Sequence, residues 1–322
     1  MSIWQQRGGS WHASVLDPRT RCRRRSVRNS YRPKSLLELG HEEVGNSRYH
    51  GLLDCANVRA DTALCFGRSA AVHEIKTIPN YEGVAWDDVW HFNPQAGSQW
   101  DGFRHFSMRL PSGERVFYGG TTSDEILDVD SDRIGIGHWA QEGIAARGFL
   151  IDYVSYAEKK GIVVNGLGGQ MVTLDDVYSI ARECQIEFRP GDIFFLRCGF
   201  TKTWESVSME EKFQYRQNTA AKKHAHSGLE QSERVVRFLW ENHISAVAGD
   251  GVSFEVRPNH DHEWDLHNIL LAGWGVPIGE MFDVERLAEL CKELNRWTFF
   301  VTSSPLNHPR AVASPPNCMA LF

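Results

Sequence analysis

An α/β domain built on a mixed sheet is the fold this sequence predicts, and three observations predict it. Helix-period and strand-like segments alternate along the chain. Ile193–Cys198 (IFFLRC) is a near-continuous apolar run, as expected of a strand covered on both faces. The 322 residues, 42% hydrophobic and 24% charged, can supply an ample core, and no apolar run is long enough to cross a bilayer.

Taken in order, residues 1–65 stand apart from the rest. Arg19–Lys34 (RTRCRRRSVRNSYRPK) is basic, polar and without apolar periodicity. Such a stretch suits a nucleic-acid arm or a mitochondrial presequence, but nothing amphipathic accompanies the arginines, so an atypical, partly disordered N-terminal segment is the simpler expectation. The start, MSIWQQRGGSWHAS, lacks the apolar core of a secretory signal. Residues 66–322 are expected to form the folded domain.

Within it a short helix is predicted over His138–Gly143 and a strand over Gly148–Tyr153. Thr173, followed by Asp175 and Asp176, opens a helix running to Cys184. Pro190-Gly191 turns the chain into the apolar strand. Residues 205–227 read as a polar, exposed helical insertion, with His224 and His226 in solvent. Val235, Val236, Phe238, Leu239 and Trp240 give the segment Leu229–Asn242 a wide helical face. ISAVAGD is a strand ending at Asp250, Asp283 caps the helix VERLAELCKELN, and WTFFVTSSPL is a late strand.

Composition excludes several classes. The net charge of −6 does not suit coating of nucleic acid. Seven scattered cysteines with no C-x-x-C pair read as reduced thiols of a cytoplasmic protein, not as a disulfide framework or zinc knuckle. No P-loop, G-x-S-x-G elbow or H-E-x-x-H is present.

Three constellations can carry chemistry. WHFNPQAGSQWDGFRHF, residues 90–106, brings Gln95, Gln99, Asp101 and His105 into one loop-like stretch, with Gly97 and Gly102 to permit turns. An Asp and a His so placed serve as metal ligand and general acid/base, or else form a buried hydrogen bond; the spacing alone leaves both open. WDLHNILLAGWGVPIGEMFD, residues 264–283, starts a helical turn at His267 and sets Glu280 after an apolar run, where a buried carboxylate needs a partner or a metal. His260 and His262 nearby read as exposed loop residues. AGDGVSFE offers Asp250, Ser253 and Glu255 at a strand end, equally consistent with ligand contact and with turn chemistry.

GSQWDGFRHF resembles the signature H-x-G-T-H-x-D-x-P-x-H of the cyclase and kynurenine-formamidase superfamily, which includes isatin hydrolases. Gly97 and Ser98 take the Gly-Thr places, Asp101 the Asp and His105 the last His. HNILLAGWGVPIGE resembles the block holding that family's later His and Glu ligands, here His267 and Glu280, with a spacing one residue longer. GIAARGFLIDY resembles its central strand, and SPLNHPRAVASPPNCMALF the end of a fungal branch. The likeness spans roughly residues 70–322. It implies a swivelling β/β/α fold, a single domain whose mixed, partly barrel-like sheet is flanked by helices.

For function, the resemblance implies a metal-dependent hydrolase of a small aryl amide, lactam or lactone, forming a homodimer or higher homo-oligomer, with no nucleic-acid or membrane partner. Asp101 would hold the metal and orient water, and His105 would move the proton. The two first-block histidines of the signature are Gln95 and Gln99 here. The implied ligand set is therefore Asp101, His267 and Glu280, helped by Gln99 and Gln95, around a divalent ion, Mn²⁺ or Zn²⁺. Trp90, Trp100, Phe103 and Asp250 are the expected substrate contacts. The replaced histidines also raise two rival readings. One is a metal-free cyclase, isomerase or dehydratase of secondary metabolism; the other is a binding protein that has lost catalysis.

Overall fold

The computed structural model describes residues 2–7, 10–15, 50–51, 65–221, 223–260 and 262–322. The basic stretch, and most of the segment expected over residues 1–65, lie outside the described residues.

Among the described residues nine strands form one mixed sheet, which curls into a half-barrel. In chain order they are β1 (His50–Gly51), β2 (Gln99–Asp101), β3 (Ile144–Asp152), β4 (Ile193–Arg197), β5 (Ala246–Gly249), β6 (Ile278–Glu280), β7 (Thr298–Ser303), β8 (Ala313–Ser314) and β9 (Cys318–Leu321). Across the sheet the order is β8-β2-β6-β5-β4-β3-β7-β9-β1. The four central strands β3 to β6 run parallel, and antiparallel strands close both flanks.

The apolar run at Ile193 forms the middle of the sheet, with all five residues of β4 buried. Side chains alternate between the two faces of a strand. Phe194 and Leu196 join Phe149 and Ile151 in one core, which packs on α1 (Tyr153–Lys159), α2 (Leu174–Glu183) and α5 (Glu233–Glu241). Ile193 and Phe195 join Leu150, Trp100 and Phe299 in the other, against α6 (Glu285–Leu294). Gly148 lets β3 and β7 approach: a Cβ there would lie 2.7 Å from Val301 Cγ2 and 2.8 Å from Phe299 Cε2.

The expected elements are present with shifted ends. Thr173 caps α2 as predicted, accepting from the Asp176 amide. The helix expected from Leu229 starts at Glu233, because Gly228–Leu229 instead pairs in parallel with Met171–Val172. The Asp283 carboxylate accepts from the Glu285 amide at the start of α6, 3.1 Å away. Residues 205–227 are not exposed throughout. Helices α3 (Phe200–Ser206) and α4 (Met209–Ala220) bury Trp204 and Tyr215 with Phe200 in a third cluster. Nor is His226 in solvent: it is wholly buried, pairs through its backbone with Arg257, and its Nε2 lies 2.7 Å from Ser253 Oγ. Among the described residues Cys184, Cys198 and Cys291 are free thiols, and no helix is long and apolar enough to cross a membrane.

One ion-pair network ties the sheet to α6. Arg197, at the end of β4, donates to both oxygens of Glu285, at 2.7 and 2.6 Å, and to Asp152 Oδ1 at 2.9 Å. Burial pushes the Asp152 carboxyl up, but Arg197 and Ser155 outweigh burial and hold it below the ordinary range. A depressed folded pKa gives stability that is present above the ordinary value and is lost as pH falls through the folded one. Arg197→Met should therefore lower unfolding free energy by about 3–5 kcal/mol at neutral pH, because the buried Asp152 loses its guanidinium and keeps only Ser155 and the more exposed Lys292. The gap to wild type in urea melts should narrow as pH falls toward and below the ordinary carboxylate value of about 4.

Candidate functional site

The site is built on one short ladder. β2 pairs antiparallel with β6, so that Gln99 faces Glu280, Trp100 faces Gly279 and Asp101 faces Ile278. Alternation then places the Gln99 and Asp101 side chains on one side of the sheet and Trp100 on the other. After Asp101 the chain must turn at once. Gly102 allows it, because a Cβ there would stand 2.5 Å from the Val312 carbonyl oxygen; the His105 amide closes the turn onto the Gly102 carbonyl at 2.9 Å.

His267 enters from the opposite direction, just before the π-helical turn Asn268–Trp274 that Leu270, Leu271 and Ala272 anchor in the core. Its Nδ1 meets Glu255 Oε1 at 2.7 Å and its Nε2 meets Glu280 Oε1 at 3.1 Å. Arg257 also donates to Glu255 Oε1, at 2.9 Å. Burial opposes the charged ring, yet Glu255 and then Glu280 hold the His267 pKa well above the ordinary histidine value.

Asp101 lies at the centre. It is fully buried, and burial raises its pKa to about 6 against the opposing pull of His105. Oδ1 accepts from Gln95 Nε2 at 2.9 Å. Oδ2 is buried and has no hydrogen-bond partner; it looks toward His105 Nε2 at 3.6 Å and His267 Nε2 at 3.9 Å. Gln95 Nε2 also lies 3.0 Å from His105 Nδ1. Because a carboxylate only accepts, the Gln95 amide must turn its nitrogen to Asp101, and that nitrogen then donates to Nδ1, leaving the ring proton of neutral His105 on Nε2. Burial lowers the His105 pKa and favours this neutral form.

The same rule fixes Gln99. Its nitrogen donates to Glu280 Oε2 at 2.6 Å, and its carbonyl oxygen accepts from Arg68 at 3.2 Å. Gln95 and Gln99 thus brace carboxylates through nitrogen, a different part from the carbonyl ligation expected of them. Asp101, His105, His267 and Glu280 do come together. The four expected substrate contacts lie elsewhere or are enclosed. Trp100 is wholly buried and donates its indole N–H to Ser303 Oγ at 3.0 Å. Asp250 is equally buried, and its two oxygens accept from the amides of Cys198, Gly199 and Thr201, which pins the start of α3. Trp90 stacks on His73 in the exposed hairpin of Val72–Thr77 and Trp86–His91. Phe103 packs on Tyr118 and Trp139. Phe106 is the aromatic residue that meets the site, with its ring 5.2 Å from that of His267 and 6.1 Å from that of His105. Nothing in the sequence distinguishes Phe106 from its neighbours, and Arg68 lies outside every motif. A separate groove of about 360 Å³ runs alongside, between α5 and the π-helical turn, lined by Trp240, Trp264, Trp274 and Met108.

The donor set fits a divalent cation. Asp101, His105 and His267 each offer an atom within 4.8 Å of the others. Ligands at ~2.1 Å from one ion stand roughly 3–3.6 Å apart, close to the 3.1 and 3.9 Å that separate His267 Nε2 from Glu280 Oε1 and Asp101 Oδ2. The unpartnered Oδ2 has the acceptor capacity a cation uses, and Glu255 orients His267 through its far nitrogen, as carboxylates do behind ligating histidines. A second cluster, Glu255, Asp265 and His267, is already countered by Arg257, 2.9 Å from Glu255 and 3.7 Å from Asp265.

Comparison with known proteins agrees with this architecture. The family model described as "Putative cyclase" matches residues 49–256, more than half of the chain. A crystal structure described as a novel cyclase superposes with a TM-score of 0.69 at 23% identity, covering 87% of this chain and 88% of that one. Isatin hydrolase A from Labrenzia aggregata, bound to benzyl benzoate, gives 0.52 at 14% identity over 79% and 84%. An isatin hydrolase bound to the product analogue thioisatinate gives 0.50 at 12% over 79% and 82%. At these identities the likeness shows the fold. Among curated proteins no sequence match is found.

The His267 pair makes a pH-dependent prediction. A raised folded pKa stabilises fully below the ordinary value of 6.5, and the contribution is lost as pH rises through the folded value. In chelator-treated protein, Glu255→Gln should cost about 3 kcal/mol below pH 6.5. The difference from wild type in urea unfolding should shrink toward alkaline pH; a gap that widens would refute the charged pair.

Proposed function

The chain belongs to the cyclase family, and on that premise we propose that it is a hydrolase of a small aryl amide, lactam or lactone, assisted by a divalent cation, Mn²⁺ or Zn²⁺. The observation that carries this reading is the buried Asp101 Oδ2, unpartnered between the Nε2 atoms of His105 and His267. Asp101, His267 and Glu280 would hold the cation. When bound, it supplies polarisation of the substrate carbonyl and a more acidic water. Glu255 keeps His267 Nε2 turned inward, and Gln99 holds Glu280. Phe106, against both imidazoles, offers a flat surface to an aryl group.

His105 acts as the proton carrier at Nε2. Gln95 fixes the ring through Nδ1, so that Nε2 gives its proton to the departing nitrogen or oxygen and regains one from the attacking water. The water O–H and the substrate C–N or C–O bonds break as the acyl C–O bond forms.

One observation favours a second reading, a cation-independent isomerase, cyclase or dehydratase in the same pocket. Gln95, Gln99, Arg68 and a charged His267 already counter much of the carboxylate charge.

His105→Ala and Asp101→Asn should each lower kcat by about 10²–10⁴ on the responsive member of a panel of N-formylkynurenine, isatin and aryl lactones. Activity surviving both changes would end the assignment. Chelation should abolish turnover and Mn²⁺ or Zn²⁺ should restore it. Protein with under about 0.1 equivalent of divalent ion and chelator-insensitive turnover would establish the second reading.

A further inference from the structure

We propose that Arg68 is the site's own counter-cation, a positioning residue that keeps the Gln99 carbonyl from the bound ion and weakens cation binding. This rests on the reading of Asp101, His267 and Glu280 as the holders of a cation.

Arg68 is delivered to the site by a docked segment. The Phe66 amide donates to Thr219 Oγ1 on α4 at 3.2 Å, and the Phe66 ring meets His224 edge-on at 5.0 Å. The Arg68 guanidinium lies 5.1 Å from the Phe66 ring centroid, a cation–π contact that restrains it. Its Nη1 donates to the Gln95 backbone carbonyl at 2.5 Å and to Gln99 Oε1 at 3.2 Å.

The contact with Gln99 decides which end of that amide faces Glu280. A guanidinium only donates, so the amide must give it oxygen, and nitrogen is left for Glu280 Oε2 at 2.6 Å. Two consequences follow for a cation among the carboxylates. It loses the neutral oxygen ligand Gln99 would otherwise offer, and it meets a fixed positive charge one side chain away, in a buried setting where water screens little. Removing Arg68 relieves both, so affinity should rise. A merely structural Arg68 predicts the opposite sign, since loosening Gln95 and Gln99 would spread the donors and weaken binding.

Calorimetric titration of chelator-stripped full-length protein with Mn²⁺ alone reads this directly, without turnover. Arg68→Ala and Arg68→Gln should lower Kd at least fivefold, with circular dichroism reporting retained fold and the Gln variant serving if the Ala variant does not fold. Arg68→Lys keeps the charge and should remain within threefold of wild type. Unchanged or weaker binding in both neutral variants overturns the proposal, as does tightening in the Lys variant equal to theirs. Binding by the neutral variants but not by wild type supports the role of Arg68 while refuting a cation-loaded wild type. Binding by neither removes both readings.

Discussion

The three-residue pairing of Gln99–Asp101 with Ile278–Glu280 is the constraint on which the site depends. It joins stretches of chain far apart in sequence, and it fixes sidedness, since a slip of one residue would exchange the two faces. In the observed register Gln99 and Asp101 reach the polar side, while Trp100 fills the opposite core and secures β2 to β7 through Ser303. Burying that indole stabilises the ladder, and the ladder in turn carries two carboxylates into a position they would not take alone. Packing on one face thus sustains charge on the other.

Buried carboxylates are costly unless every acceptor is met. Those that serve the fold meet this demand. Asp250 accepts three backbone amides on its two oxygens, and Asp152 accepts from Ser155 and Arg197 with Lys292 nearby. Asp101 differs, for one oxygen is braced by Gln95 and the other is left open toward two imidazoles. Glu255 also keeps an unpartnered oxygen, but it faces Arg257 and His267 through the other, so its role is to hold His267. The contrast between satisfied and open carboxylates separates scaffold from site.

Much of this was legible in the sequence, for identifiable reasons. Continuous apolar character announces a strand covered on both faces, and Ile193–Arg197 is one. The capping pattern at Thr173 is local and was therefore readable. Asp101, His105, His267 and Glu280 fall in stretches whose polar residues are unexpected among apolar and glycine neighbours. What could not be read is side-chain direction set by distant partners. Trp100 and Phe103 flank the same Asp101, yet the ring found against His267 is that of Phe106, the residue just after the turn closed by His105. Asp250 ends a strand as a ligand contact would, but the incoming amides of α3 consume it. His226 looked solvated because its polar neighbours hide a backbone pairing with Arg257.

Arg68 shows how a residue outside any motif becomes part of a site. It and Gln95 flank the exposed hairpin whose first rung pairs Val72 with His91 and whose last pairs Thr77 with Trp86. The ladder holds the hairpin's two ends together, so the chain just before it and the chain just after it are neighbours at little further entropic cost. The same ladder that buries little of itself therefore sets Arg68 beside Gln95, and Phe66 on α4 fixes the angle of approach. Motif searches weigh spacing along the sequence. Here the decisive spacing is across a hairpin, and its effect is read in which atom of the Gln99 amide faces Glu280.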